Sequence, residues 1–258
     1  MSLSFEELRE FLEEKTALYN TLSFIEADPV SVPHRYTKKE DIEISGFIAA
    51  TIAWGQRKTI LNNMQKLLLL MDDAPHDFII NSRKKDLEVF SRFVHRTFNG
   101  TDCIYFLRSL RNIYHNHNGL EGIFKTHTRQ HDEDLAYAIH RMKLIFFELP
   151  HDGRSEKHIA DPAKNSSAKR ICMFLRWMVR KDTCGVDFGI WNHLGAHRLS
   201  CPLDVHSARV ARHLGLLDRK QNDWKAVCEL TSGLKKYDSA DPVKYDYALF
   251  GLGVNEKF

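Results

Sequence analysis

The chain has 258 residues, 43% of them hydrophobic, and carries a net charge of +3. That length supports one large domain or two small ones sharing a cleft, and the apolar share supplies a core, which excludes wholesale disorder. Thirteen glycines and seven prolines are few for an all-β chain of this size, and the longest aliphatic run, residues 67–71, is far too short to cross a bilayer.

Hydrophobic periodicity then lays out helices in chain order. Phe5, Leu8, Leu12 and Leu18 predict a helix over 4–20. Residues 28–40, with Asp28-Pro29 and Val32-Pro33, read as an irregular connection. Ile42, Ile44, Phe47, Ile48, Ala50, Ile52 and Trp54 are apolar nearly all round and predict a buried central helix ended by Gly55-Gln56-Arg57. A helix over about 58–71 follows, then short helices and turns over 72–100. Further helices are predicted at about 102–115, within 119–149 and at 168–180, with a polar loop over 151–166. Helices at about 205–216 and 222–235 precede Asp241-Pro242, a cap followed by proline. The closing helix, about 242–250, is expected to end at Gly251-Leu252-Gly253. Neither internal repeats nor low-complexity tracts interrupt this order, and the fold class is all-α.

Charge is unevenly placed. Residues 161–220 hold 11 Lys/Arg against 5 Asp/Glu, so the rest of the chain is net acidic. A local basic excess suits a polyanion, although helix surfaces carry lysine and arginine for solubility alone. Five cysteines, none in a Cys-x-x-Cys pair, fit a reducing compartment. The amino terminus is acidic and amphipathic rather than leader-like. The expected location is therefore cytoplasmic, with no membrane association.

Two residues in the basic stretch carry chemistry. Lys169 stands in the opening turn of an amphipathic helix, with Arg170 beside it and Arg176 on the same face. A lysine amine is a nucleophile only when unprotonated, and nearby positive charge, a helix N-terminus and desolvation all favour that form. A solvated surface lysine fits the same residues. Asp204 stands before the next amphipathic helix, where an aspartate is a common N-cap worth ~1 kcal/mol. A capped carboxylate stays ionised, and can stabilise positive charge on a sugar or take a proton from an attacking amine. His206, Arg209 and His213 share a face of that helix and offer a grip for phosphate.

The run Pro202-Leu203-Asp204-Val205-His206-Ser207-Ala208-Arg209 resembles the signature of the helix-hairpin-helix DNA glycosylase superfamily, of the endonuclease III and 8-oxoguanine glycosylase kind. Asp204 falls on the catalytic aspartate of that pattern, His206 on a phosphate-contacting histidine and Lys169 on the nucleophilic lysine of the bifunctional members. Upstream, residues 47–57 resemble the helix ending in a glutamine that probes the gap left by an extruded nucleotide, which gives Gln56 and Arg57 a DNA-binding role. The closest likeness is to uncharacterised bacterial proteins known only by a domain of unknown function. Among characterised enzymes, it is to the archaeal 8-oxoguanine glycosylases.

The resemblance implies two helical lobes with a central cleft: a helical barrel over 40–180, and a second lobe made of 1–39 plus 200–258. It implies a DNA glycosylase/AP lyase acting on double-stranded DNA with a damaged base, by way of a lysine Schiff base. Where the family's hairpin reads Leu-Pro-Gly-Val-Gly, this chain has Asn165-Ser166-Ser167. Ser166, Ser167, Arg170 and exposed amides are the expected substitutes for that phosphate grip. The four-cysteine motif of endonuclease III is absent, so no iron–sulfur centre is expected, and neither metal nor other cofactor.

Other patterns compete. A non-catalytic nucleic-acid-binding protein fits the same fold. His127/His131 and His193/His197 have the spacing of a helical metal pair, and the His-Asp dipeptides at 76, 131 and 151 resemble those of metal-dependent phosphohydrolases. Trp191 is either core or a base-stacking platform. Lys164 and Lys181 are the fallback nucleophiles, and the oligomeric state is not legible in the sequence.

Overall fold

The computed structural model describes residues 3–256 and is all-α apart from one small hairpin. Twelve α-helices follow in order among the described residues: α1 (Phe5–Tyr19), α2 (Leu22–Ala27), α3 (Lys39–Thr51), α4 (Arg57–Leu69), α5 (Pro75–Asn81), α6 (Gly100–Asn116), α7 (Gly119–His127), α8 (Ala136–Phe146), α9 (Lys169–Val179), α10 (Val205–His213), α11 (Trp224–Lys235) and α12 (Asp246–Gly251). Strands β1 (Val94–His95) and β2 (Phe98–Asn99) pair antiparallel. No helix among the described residues is long and apolar enough to cross a membrane.

The chain divides into two compact units. The first gathers the residues up to Glu26, His131–Ala136 and everything from Asp161 onward. The second comprises Ala27–Gln130 and Tyr137–Ala160. This differs from the expected division at 180 and 200. The helix α9 belongs with α1 and the carboxyl-terminal helices because its inner face, Phe174 and Trp177, is fully buried there, with the Phe174 ring edge-on to Trp191 at 5.5 Å. Trp191 is thus core. His131–Ala136 joins the same unit through the Asp132 carbonyl, which accepts from Arg198 at 2.8 Å.

In the second unit α3 is buried from Ile42 to Thr51, as its all-round apolar pattern requires. Its Phe47 meets Phe146 at 5.5 Å, and Phe146 in turn meets Phe106 at 4.6 Å. Each such ring contributes about 1.5–3 kcal/mol by leaving water. Asn99 and Asp102 form a reciprocal capping box that starts α6. The segment expected as a loop over 151–166 holds two 3-10 turns, Gly153–His158 and Pro162–Lys164.

In the first unit α1 begins with a Ser4–Glu7 capping box and packs along α12. Gly251 and Gly253 do not end the closing helix, which continues as a π-helical turn over Leu252–Glu256. Their role is close approach. A Cβ on Gly251 would sit 2.2 Å from the Tyr19 ring, and one on Gly253 would sit 2.9 Å from His206 Cβ.

Candidate functional site

Lys169 is the first residue of α9. The turn before it has two non-glycine residues in the left-handed region, Asn165 at φ 59° and Ala168 at φ 47°. Asparagine tolerates that region, but an alanine adopts it at a cost of about 1–2 kcal/mol. The turn is pinned from α11. Asp223, which caps α11, accepts from the Asn165 side-chain amide at 3.0 Å, and the Trp224 amide donates to the Asn165 carbonyl at 3.3 Å.

Asp204 is the N-cap of α10, as its position before an amphipathic run predicts: its Oδ1 accepts from the Ser207 amide at 2.8 Å. Its other oxygen, Oδ2, lies 3.0 Å from Lys169 Nζ. The Asp204 side chain is 12% exposed and that of Lys169 is 31% exposed. Burial pushes the Asp204 carboxyl up, but the Lys169 ammonium, the Ser207 amide and His206 outweigh it and hold the group below the usual carboxylate range. An amine and an ionised acid, 35 positions apart in the sequence, therefore meet at the starts of two helices in one unit. Val205 stands 74% exposed directly after the acid, which gives the mouth of the pair an apolar edge.

The neighbouring residues divide. Arg170 turns inward, and burial pulls its guanidinium down to about 10, so it remains a cation at neutral pH. His206 is exposed on the first turn of α10. Arg209 donates to the Gly253 carbonyl at 2.9 Å, which commits one of its N–H groups to holding the carboxyl-terminal turn. Ser166 is more heavily committed: its amide donates to the Asp161 carbonyl at 3.2 Å and its hydroxyl accepts from the Ala168 amide at 3.4 Å. The expected phosphate grip by Ser166 is thus used inside the turn. The Ser167 carbonyl faces the Cys172 thiol at 4.0 Å. Gln56 caps α4 in the second unit with an exposed side chain that makes no cap bond, and Arg57 opens that helix. Lys164 and Lys181 are both exposed.

Sequence reasoning missed what lies under the pair. Arg176, expected to add positive charge beside Lys169, is buried and bonded to Asp246 at the start of α12 and, at 3.3 Å, to Asp187. One turn on, Arg180 meets Asp187 at 3.1 Å, Asp241 at 2.8 Å and Asp182. The Arg176 guanidinium also lies 4.2 Å from the centre of the Tyr247 ring. Two cations thus face four acids in a largely buried network. Burial lifts the Asp246 carboxyl to about 6; Arg176 pulls it down and the nearby Asp204 pushes it up, which couples this layer to the candidate site. The only signal in the sequence is a pair of arginines on an otherwise apolar helix face.

Among the described residues no three His, Cys, Asp or Glu side chains converge as a metal-binding group. All five cysteines are free thiols, with Cys103, Cys172 and Cys201 buried.

Residues 28–255 match the model of a family described as "Protein of unknown function (DUF2400)", and the chain belongs to that family. No curated protein and no solved structure matches it.

Proposed function

We propose that this member of the DUF2400 family is a DNA glycosylase/AP lyase of the helix-hairpin-helix type, in which Lys169 attacks the sugar of a damaged nucleotide and Asp204 manages charge and proton. The observation that carries the reading is the 3.0 Å approach of Lys169 Nζ to Asp204 Oδ2 at the starts of α9 and α10. Order along the chain supports it: glutamine, lysine, aspartate, with histidine two residues after the acid.

The step balances within the pair and its substrate. Asp204 takes a proton from the Lys169 ammonium, and the freed amine adds to C1′ as the bond to the base breaks. The base leaves with the bonding electrons and is protonated from solvent. The aminal opens to a Schiff base between Nζ and C1′, and loss of the C2′ proton then expels the 3′ phosphate, which cuts the strand. Asp204, protonated by the lysine, returns that proton to O4′ as the sugar ring opens and so regenerates its carboxylate before strand scission. Extrusion of the base costs a few kcal/mol, less for a damaged one, and that difference contributes selectivity. An oxidised purine is the substrate class favoured by the likeness. His206, exposed on the first turn of α10, stands beside the pair for a flanking phosphate, and the likeness assigns Arg170, Gln56 and Arg57 to DNA binding.

The test is borohydride reduction during incubation with duplexes that hold an 8-oxoguanine or an abasic site. The reading expects a covalent protein–DNA adduct that Lys169→Ala abolishes. Duplex binding without any adduct favours instead a non-catalytic nucleic-acid-binding protein.

A further inference from the structure

The second unit has a cleft of about 780 Å³ between α6 and the 3-10 segment Lys84–Arg92. The spacing of α6 places Ile104, Leu107, Arg108, Arg111 and His115 along one side, and all five line the cleft. With Leu87 from the 3-10 segment, the leucines and isoleucine form an apolar floor, while Lys84, Arg108 and Arg111 supply positive charge. Glu88 is the single acid in the lining.

Most telling is what these cations lack. Elsewhere on the second unit's surface, Arg35 pairs with Asp73 at 2.8 Å and Lys39 pairs with Glu121. Among the described residues neither Lys84 nor Arg108 forms an ion pair. Arg111 donates one N–H to the Ser82 carbonyl, which fixes the plane of its guanidinium and leaves its other donors for a second partner. Two uncompensated cations and one oriented guanidinium around an apolar floor are complementary to a molecule with an anionic end and an apolar body. A guanidinium recognises phosphate oxygens in bidentate fashion, and a cleft of this size has room for a ligand as large as a nucleotide.

We propose that this cleft binds a phosphate ester with an apolar body, of the nucleotide class, with the phosphates held by Arg108, Arg111 and Lys84 and the body against Leu87, Ile104 and Leu107. The site lies wholly in the second unit and does not involve Lys169 or Asp204.

Calorimetric titration of the full chain at low salt tests it with four probes: ATP, adenosine, inorganic pyrophosphate and glucose 6-phosphate. ATP should bind saturably and at least about tenfold more tightly than each of the other three, since only ATP engages both wall and floor. Arg108→Glu and Lys84→Glu should each weaken ATP about tenfold or more at an unchanged melting temperature, because both side chains are exposed. Absence of saturable ATP binding overturns the proposal, as does ATP binding that both variants leave intact. Pyrophosphate or glucose 6-phosphate bound as tightly as ATP overturns the role of the floor, and with it the ligand class. Adenosine bound as tightly as ATP overturns the role of the cations.

Discussion

Lys169 Nζ and Asp204 Oδ2 are 3.0 Å apart, and each belongs to a residue that begins a helix. The acid's second oxygen is held by the Ser207 amide, so its direction toward the lysine is set by the cap and not by the ion pair alone. Folding and chemistry thus draw on the same carboxylate, and they separate experimentally. Asparagine caps a helix as well as aspartate does but accepts no proton. Asp204→Asn should keep the cap, lower the melting temperature only by what the ion pair with Lys169 contributes, and slow single-turnover adduct formation about 10²- to 10⁴-fold. Asp204→Ala should show the same loss of rate and cost ~1 kcal/mol of stability as well. A rate in Asp204→Asn equal to that of the wild type removes the acid from the mechanism.

Acidification bears on the same group. The Asp204 carboxyl lies below its ordinary range in the folded chain, so its contribution to stability is present above the unfolded value near pH 4 and is lost as pH falls through the folded one.

Asp246 behaves in the opposite sense. Its folded carboxyl is raised to about 6. Between about pH 4 and pH 6 the folded chain therefore binds more protons than the unfolded chain, and stability falls as pH rises through that window. In Asp246→Asn this contribution disappears. The stability of the wild type relative to the variant should drop by up to about 3 kcal/mol between pH 4 and pH 7, the equivalent of about two units at ~1.4 kcal/mol each. Urea unfolding at a series of pH values reads the difference, and a flat difference contradicts the assignment.

Arg176 ties that acid and Asp187 to α9. Removing one partner of a buried pair leaves the other charge uncompensated, so Arg176→Met should cost about 3–5 kcal/mol. Adding Asp246→Leu should return a large part of that loss, because an apolar pair of similar volume carries no desolvation penalty. Denaturant midpoints of both single variants and of the double variant measure the coupling.

Gly253 presses the carboxyl-terminal turn onto the start of α10, where an added Cβ would meet the His206 backbone at 3.1 Å as well as its Cβ. Gly253→Ala should cost about 1–3 kcal/mol by overpacking. It should also slow adduct formation, since the turn presses on the start of α10, which Asp204 caps. A melting temperature and a rate both equal to those of the wild type contradict the contact.

Much of the fold was legible because long helices repeat their apolar residues every three or four positions, as α1, α6 and α9 do, or are apolar nearly all round, as α3 is. Asp204 was legible as a cap for the same local reason. The hairpin β1–β2 was not, since two residues per strand cannot display a period of two. It is held instead by His95, whose ring bonds the Trp54 carbonyl at 3.1 Å and the Asn63 side chain at 2.9 Å. Gly251 and Gly253 look like a helix stop in sequence, and only packing on Tyr19 and His206 reveals their use. The layer beneath the site was hidden because Arg176 and Arg180 resemble a surface stripe, while their acids are scattered at 182, 187, 241 and 246. The boundary between units escaped detection for a similar reason: tertiary partners assign His131–Ala136 to the first unit, and local composition does not.

The central claim is that one particular amine forms the bond to the sugar. Reduction of the protein with an abasic-site duplex, followed by digestion and mass mapping of the modified peptide, tests it most directly. The account predicts the sugar remnant on Lys169 and on no other lysine. A remnant on Lys164, on Lys181 or on the terminal amine, or an unmodified chain from a reaction that nonetheless cuts the strand, would contradict it.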